Sequence, residues 1–125
     1  MFTRLATCAC GLLNVRCTGD PAKVSLCHCL DCQRRTGSTY GVAAFFRAED
    51  IEPQGVTRTY MRQSDSGYPV TFHFCPECGS TVFWTPQRMP KTVAVAVGSF
   101  ADPTFPAPTQ AVYTERCHPW VAFSD

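Results

Sequence analysis

Charge is scarce in this sequence and shows little bias of sign. Asp, Glu, Lys and Arg make up 17% of the 125 residues and nearly cancel, leaving a formal net charge of +1. A nucleic-acid surface or an anionic-membrane anchor ordinarily shows as a basic excess, so neither partner is expected. Long apolar runs are missing too. No segment approaches the ~18 consecutive apolar residues of a membrane span. The opening MFTRLATCACGLLNVRC lacks the apolar stretch and small-residue cleavage site of a secretory signal. A cytoplasmic chain with reduced thiols is the expectation.

Helical periodicity is equally sparse, with one short helical turn expected around 30–35. What the chain has instead is punctuation. Ten prolines and eight glycines cut it into short runs rich in β-branched and aromatic residues, the pattern of an all-β domain. Strands are expected over 2–7, 13–17, 24–27, 40–47, 57–63, 70–74, 81–85, 93–97 and 111–115. Alternation is clearest in VTFHF and TVAVAVG. ADPTFPAPTQ reads as a rigid loop between the last two strands. One domain over 1–125 is expected, large enough to bury roughly two thirds of the surface its unfolded chain exposes.

Nine cysteines are the most unusual feature of the composition, and seven of them fall into three knots: CAC at 8–10, CHCLDC at 27–32 and CPECG at 75–79. In a reducing compartment an odd count with these spacings points to metal rather than disulfides. CxxC lets two sulfurs converge on one ion, and Gly79 permits the tight turn that follows. CAC followed by Gly11 supplies the other half, so Cys8, Cys10, Cys75 and Cys78 are expected to form a closed, structural four-thiolate zinc site.

Cys27, Cys29 and Cys32 then remain as three ligands with an open place, the arrangement of a catalytic zinc. Three alternatives stand beside that reading. His28 closes the site, although an extended backbone would point its ring away from its neighbours; His73 or Cys17 closes it from a distance; or no metal binds there. Arg34 and Arg35 follow at once. They moderate the thiolate charge, bind the carboxylates of an anionic substrate, or are simply solvated on a short helix. Cys17 and Cys117 belong to no motif and are expected to be ordinary buried cysteines. Trp120, after His118, is expected in the core or at its rim. Asp31 and Glu77 lie inside cysteine motifs without support for a general-base role.

Taken together, CACG, CHCLDCQRRTGS, FCPECGSTVFW, VAVGSFADP and the late HPW resemble the glutathione-dependent formaldehyde-activating enzyme family, which also includes centromere protein V. The resemblance runs from about residue 3 to residue 123, and the chain looks like the minimal family domain. It implies an all-β fold of the β-tent (Mss-four-like) type, with folded sheets pinned by zinc. It also implies two zinc ions: a structural one on Cys8, Cys10, Cys75 and Cys78, and a catalytic one on Cys27, Cys29 and Cys32. The activity implied is carbon–sulfur bond formation between a small electrophile such as formaldehyde and the thiol of glutathione or a related thiol. A second expectation belongs to a different class, a non-catalytic zinc-stabilised module of the same fold that engages a protein.

Overall fold

β-branched and aromatic runs become strands wherever Gly and Pro leave room for them. The computed structural model describes residues 2–64 and 66–122. Strands β1 (Thr3–Thr7), β2 (Asn14–Thr18) and β5 (Ile51–Gln54) form a three-stranded antiparallel sheet in the order β1-β2-β5. A second sheet holds β3 (Lys23–Cys27), β4 (Gly41–Arg47), β6 (Arg58–Gln63), β7 (Pro69–Phe74), β8 (Thr81–Pro86), β9 (Thr92–Ala96) and β10 (Gln110–Val112). Its order is β10-β3-β4-β9-β8-β7-β6, antiparallel throughout except for β10 beside β3. Helix α1 (Leu30–Thr36) leaves the end of β3. The fold is thus all-β and of the β-tent type, with few short helices and with cysteine clusters able to pin zinc. Among the described residues no helix is long and apolar enough to cross a membrane.

The small sheet packs on one face of the large one. Ala6, Leu13 and Val15 meet Phe46, Val82 and Val95 there, while Val70, Phe72, Trp84 and Ala94 form a smaller cluster elsewhere. This accounts for TVAVA in β9. Val93 and Val95 fall in the first cluster and Ala94 in the second, so a central strand is buried on both faces with its bulk on one. Each fully buried side chain of this size contributes about 1.5–3 kcal/mol.

Two elements differ from the sequence expectation. Strand β5, IEPQ, lies outside the strands expected from sequence; it contains Pro53, which has no N–H for a ladder, and is tolerated at an edge, pairing with β2 alone. The strand expected over 111–115 stops at Val112. Tyr113 takes a left-handed conformation (φ 55°), and Thr114–Arg116 form a single 3-10 turn. Cys117, just beyond that turn, is therefore exposed rather than buried, whereas Cys17 lies in the core, where burial pushes its thiol up to about 12. Trp120 is not a core residue either. It is 72% exposed, with its ring edge-on to His118 at 5.7 Å.

Candidate metal centres

The first cluster is built from two turns far apart in sequence. After β1 the chain turns back, with the Gly11 N–H donating to the Cys8 carbonyl (3.1 Å) and the Leu13 N–H donating to the Cys8 sulfur (3.2 Å). After β7 the Gly79 N–H closes on the Cys75 carbonyl (2.8 Å), and the Glu77 N–H donates to the Cys75 sulfur (3.4 Å). Gly79 holds φ +80°, a conformation that glycine adopts without strain. Ser80 joins the two turns: its hydroxyl accepts from the Ala9 N–H (3.1 Å) and lies 3.3 Å from the Cys78 sulfur. Hydrogen bonds from Ser80 bring the Cys78 thiol down to about 5.

The sulfurs of Cys8, Cys10, Cys75 and Cys78 all lie within 4.8 Å of one another. Cys10 stands 3.6 Å from both Cys8 and Cys75. Two sulfurs each about 2.3 Å from one tetrahedral ion would sit about 3.8 Å apart, so this donor set fits zinc.

The second cluster comes from one stretch of chain. Cys27 ends β3, where Val112 of β10 pairs with it on one side and Gly41 of β4 on the other. Cys29 is the N-cap of α1, its sulfur accepting the Cys32 N–H at 3.3 Å, and Cys32 lies in the first turn. The QRRTG that follows fixes the helix end. Gly37 (φ 67°) donates to the Gln33 carbonyl, and the Thr36 hydroxyl donates to the Cys32 carbonyl at 2.9 Å. Strand end, cap and first turn thus bring three sulfurs within 4.8 Å of one another.

Among the described residues no fourth His, Cys, Asp or Glu donor joins this group. His28 is buried, and its Nδ1 has no hydrogen-bond partner among the described residues. His73 stacks on Phe83 at 4.3 Å instead. Hydrogen bonds from Cys27 and Cys32 hold the Cys29 thiol far below its ordinary range, while those with Cys27 and Cys29 push Cys32 well up. One negative charge is easily held here; three require a cation among them, and the all-sulfur donor set suits zinc.

Two nearby cations offset that charge, and only one lies in the pair expected from sequence. Arg35 sits three residues after Cys32 on the same helix face, its guanidinium 4.3 Å over the Trp84 ring. Burial disfavours its charge, and the Cys32 sulfur beside it opposes that effect. Arg34 instead points outward, 77% exposed, and pairs with Asp31 at 3.6 Å. The second cation is Arg62 of β6, which sequence reading missed; it pairs with Asp31 at 3.2 Å and lies over Phe72 at 4.8 Å. Nothing in its sequence neighbourhood singles it out; only the fold makes it the half-buried residue of an otherwise exposed edge strand. Asp31 is therefore an ion-pair partner of both arginines, a role that leaves its carboxylate poorly placed to act as a base.

A model of the family described as "Glutathione-dependent formaldehyde-activating enzyme" matches residues 3–116. The chain belongs to the glutathione-dependent formaldehyde-activating enzyme family. Its fold is also similar to a crystal structure of a Rhodobacter sphaeroides protein, with a TM-score of 0.63 and 21% identity over 86% of this chain and 98% of that one. No curated protein matches the chain. Both cysteine clusters of this family member could each hold a metal ion.

Proposed function

We propose that the protein is a zinc-dependent carbon–sulfur lyase, adding or removing a small formaldehyde-like electrophile at the thiol of glutathione or a related thiol. The observation that carries this reading is that, among the described residues, one cluster brings together three sulfurs with no fourth donor while the other brings together four. Family membership supports the same activity. Cys27, Cys29 and Cys32 would hold the catalytic ion, and Cys8, Cys10, Cys75 and Cys78 the structural one. When bound at the first of these, zinc supplies positive charge that favours the thiolate form of a substrate thiol. The chain's own contribution is placement: the cap and first turn of α1 fix the sulfurs, and Arg35 and Arg62 offset their charge. In the reaction the substrate sulfur bonds to the carbonyl carbon while the thiol proton ends on the carbonyl oxygen; the reverse breaks the same bond.

Cobalt substitution tests this. Glutathione titrated into the cobalt-loaded protein should shift the thiolate-to-metal bands saturably, and Cys32→Ser should abolish the shift. Bands that ignore every thiol offered would sink the enzyme reading and favour the interaction module. That second reading draws on one observation, that neither of the two cavities beside α1 is lined by a cysteine.

A further inference from the structure

Two cavities of about 500 Å³ flank the C-terminal half of α1, and Arg35, Gly79 and Thr81 line both. Arg35 stands between these cavities and the second cluster. Its Nη2 and the Cys32 Cβ both lie against Gly41, at 2.8 and 3.5 Å from where a Cβ on that glycine would sit. The guanidinium lies 4.3 Å over the Trp84 ring, yet its buried Nε has no hydrogen-bond partner. Among the described residues no carboxylate pairs with it, whereas Asp31 engages both Arg34 and Arg62. A guanidinium offers five donors in a rigid fork, more than one thiolate edge can use. A pre-positioned arginine without an acidic partner, its donors incompletely used, facing thiolates on one side and open volume on the other, is what an anion site presents.

We propose that Arg35 is the anion-binding residue of this site, holding the carboxylate of a thiol substrate in the cavity it shares with Arg62, and that Arg34 takes no part. The substrate class is thereby narrowed to thiols that carry a carboxylate a few bonds from sulfur. Arg62 lines the same cavity over Phe72; Asp31 and Arg34 line it too, but Asp31 is paired with both Arg62 and Arg34, which leaves Arg35 as the cation there without an acidic partner among the described residues. This rests on the reading of Cys27, Cys29 and Cys32 as a thiol-binding site, and the test separates the two.

The probes are 3-mercaptopropionate, 2-mercaptoethanol and propionate, titrated into the cobalt-loaded protein with ¹⁵N-labelled tryptophan. Thiolate-to-cobalt bands report sulfur binding, and the Trp84 indole resonance reports the guanidinium above it. Mercaptopropionate should bind about tenfold more tightly than mercaptoethanol, the scale of one charge-assisted contact. Propionate should shift Trp84 while leaving the bands alone. Arg35→Gln should erase the preference, and Arg34→Gln should keep it. Should Arg35→Gln fail to fold, Gly41→Ala serves, since its new methyl displaces only the far end of the arginine. Equal binding of the two thiols, or a preference that survives the Arg35 or Gly41 change, overturns the proposal. Bands blind to both thiols would overturn the thiol-binding reading on their own, and the propionate response of Trp84 would still decide the anion site.

Discussion

The two cysteine clusters use the same donor atom and differ in where the donors come from. Cys8 and Cys10 meet Cys75 and Cys78 across 65 residues of sequence, joining the turn after β1 to the turn after β7. Cys27, Cys29 and Cys32 belong to one strand end and one helix start, so an ion there ties together chain that is already together. The first arrangement closes a long loop and fills its own coordination shell, which suits a structural part. The second fixes little of the fold and, among the described residues, offers three donors rather than four, which suits chemistry. Loop span and donor number thus point the same way in both clusters.

The largest effect expected is the sharpest test of that contrast. Structural zinc in small domains is worth roughly 10–16 kcal/mol, comparable with the whole stability of a domain at about 5–15 kcal/mol. Cys75→Ser should leave the chain unfolded or aggregated. Cys32→Ser should remain folded, lose whatever metal the three-sulfur cluster holds while keeping that of the four-sulfur cluster, and keep its circular dichroism spectrum. Metal analysis together with thermal unfolding checks both variants, and equal destabilisation by the two would erase the distinction between the clusters.

A smaller effect sharpens the comparison without touching a ligand. Gly55 holds φ +105°, and a Cβ there would meet the Leu12 carbonyl oxygen at 2.1 Å and the Leu13 Cα at 3.2 Å. Those atoms belong to the turn whose Leu13 N–H donates to the Cys8 sulfur. Gly55→Ala should therefore cost at least about 2 kcal/mol in backbone strain and speed metal loss from the four-sulfur cluster alone. Chelator competition followed with cobalt would resolve the two clusters. Faster loss from the Cys27/Cys29/Cys32 cluster instead would mean that the strain travels through the shared core rather than through the turn.

The membership of both clusters was legible because CxC and CxxC spacings are local constraints, and most strands were legible because β-branched alternation is local as well. What was missed is non-local or contrary to a local rule. Pro53 argues against a strand, and only the edge position of β5 excuses it. Arg62 reaches Asp31 across 31 residues and a sheet, with nothing in its own neighbourhood to announce it. The choice between Arg34 and Arg35 was partly within reach. Three-residue spacing places Arg35 below Cys32 and Arg34 below Asp31, so helix phase assigns one to sulfur and the other to a carboxylate. Cys117 and Trp120 failed for a different reason: their residue types favour burial, but Tyr113 turns the chain out of the sheet before either is reached.

The smallest effect concerns how the second cluster is held. The Gln33 amide donates to the His28 carbonyl at 2.9 Å and to the Arg116 carbonyl at 3.2 Å, while its oxygen lies 2.9 Å from the His118 Nε2. One side chain thereby ties α1 to the residue between two ligands and to the C-terminal turn. Gln33→Ala removes these bonds and should cost about 1–2 kcal/mol in stability, the ordinary net worth of a few partly exposed hydrogen bonds. Metal retention is the more informative readout. The four-sulfur cluster shares no element with this network, so its rate of metal loss should stay unchanged while the three-sulfur cluster releases its ion faster. Gln33→Glu separates the two halves of the network, because a carboxylate can still accept from His118 but cannot donate to either carbonyl. If Glu behaves like Ala, the amide's hold on the His28 and Arg116 carbonyls is what keeps the three sulfurs in register; if it behaves like wild type, the link to His118 is.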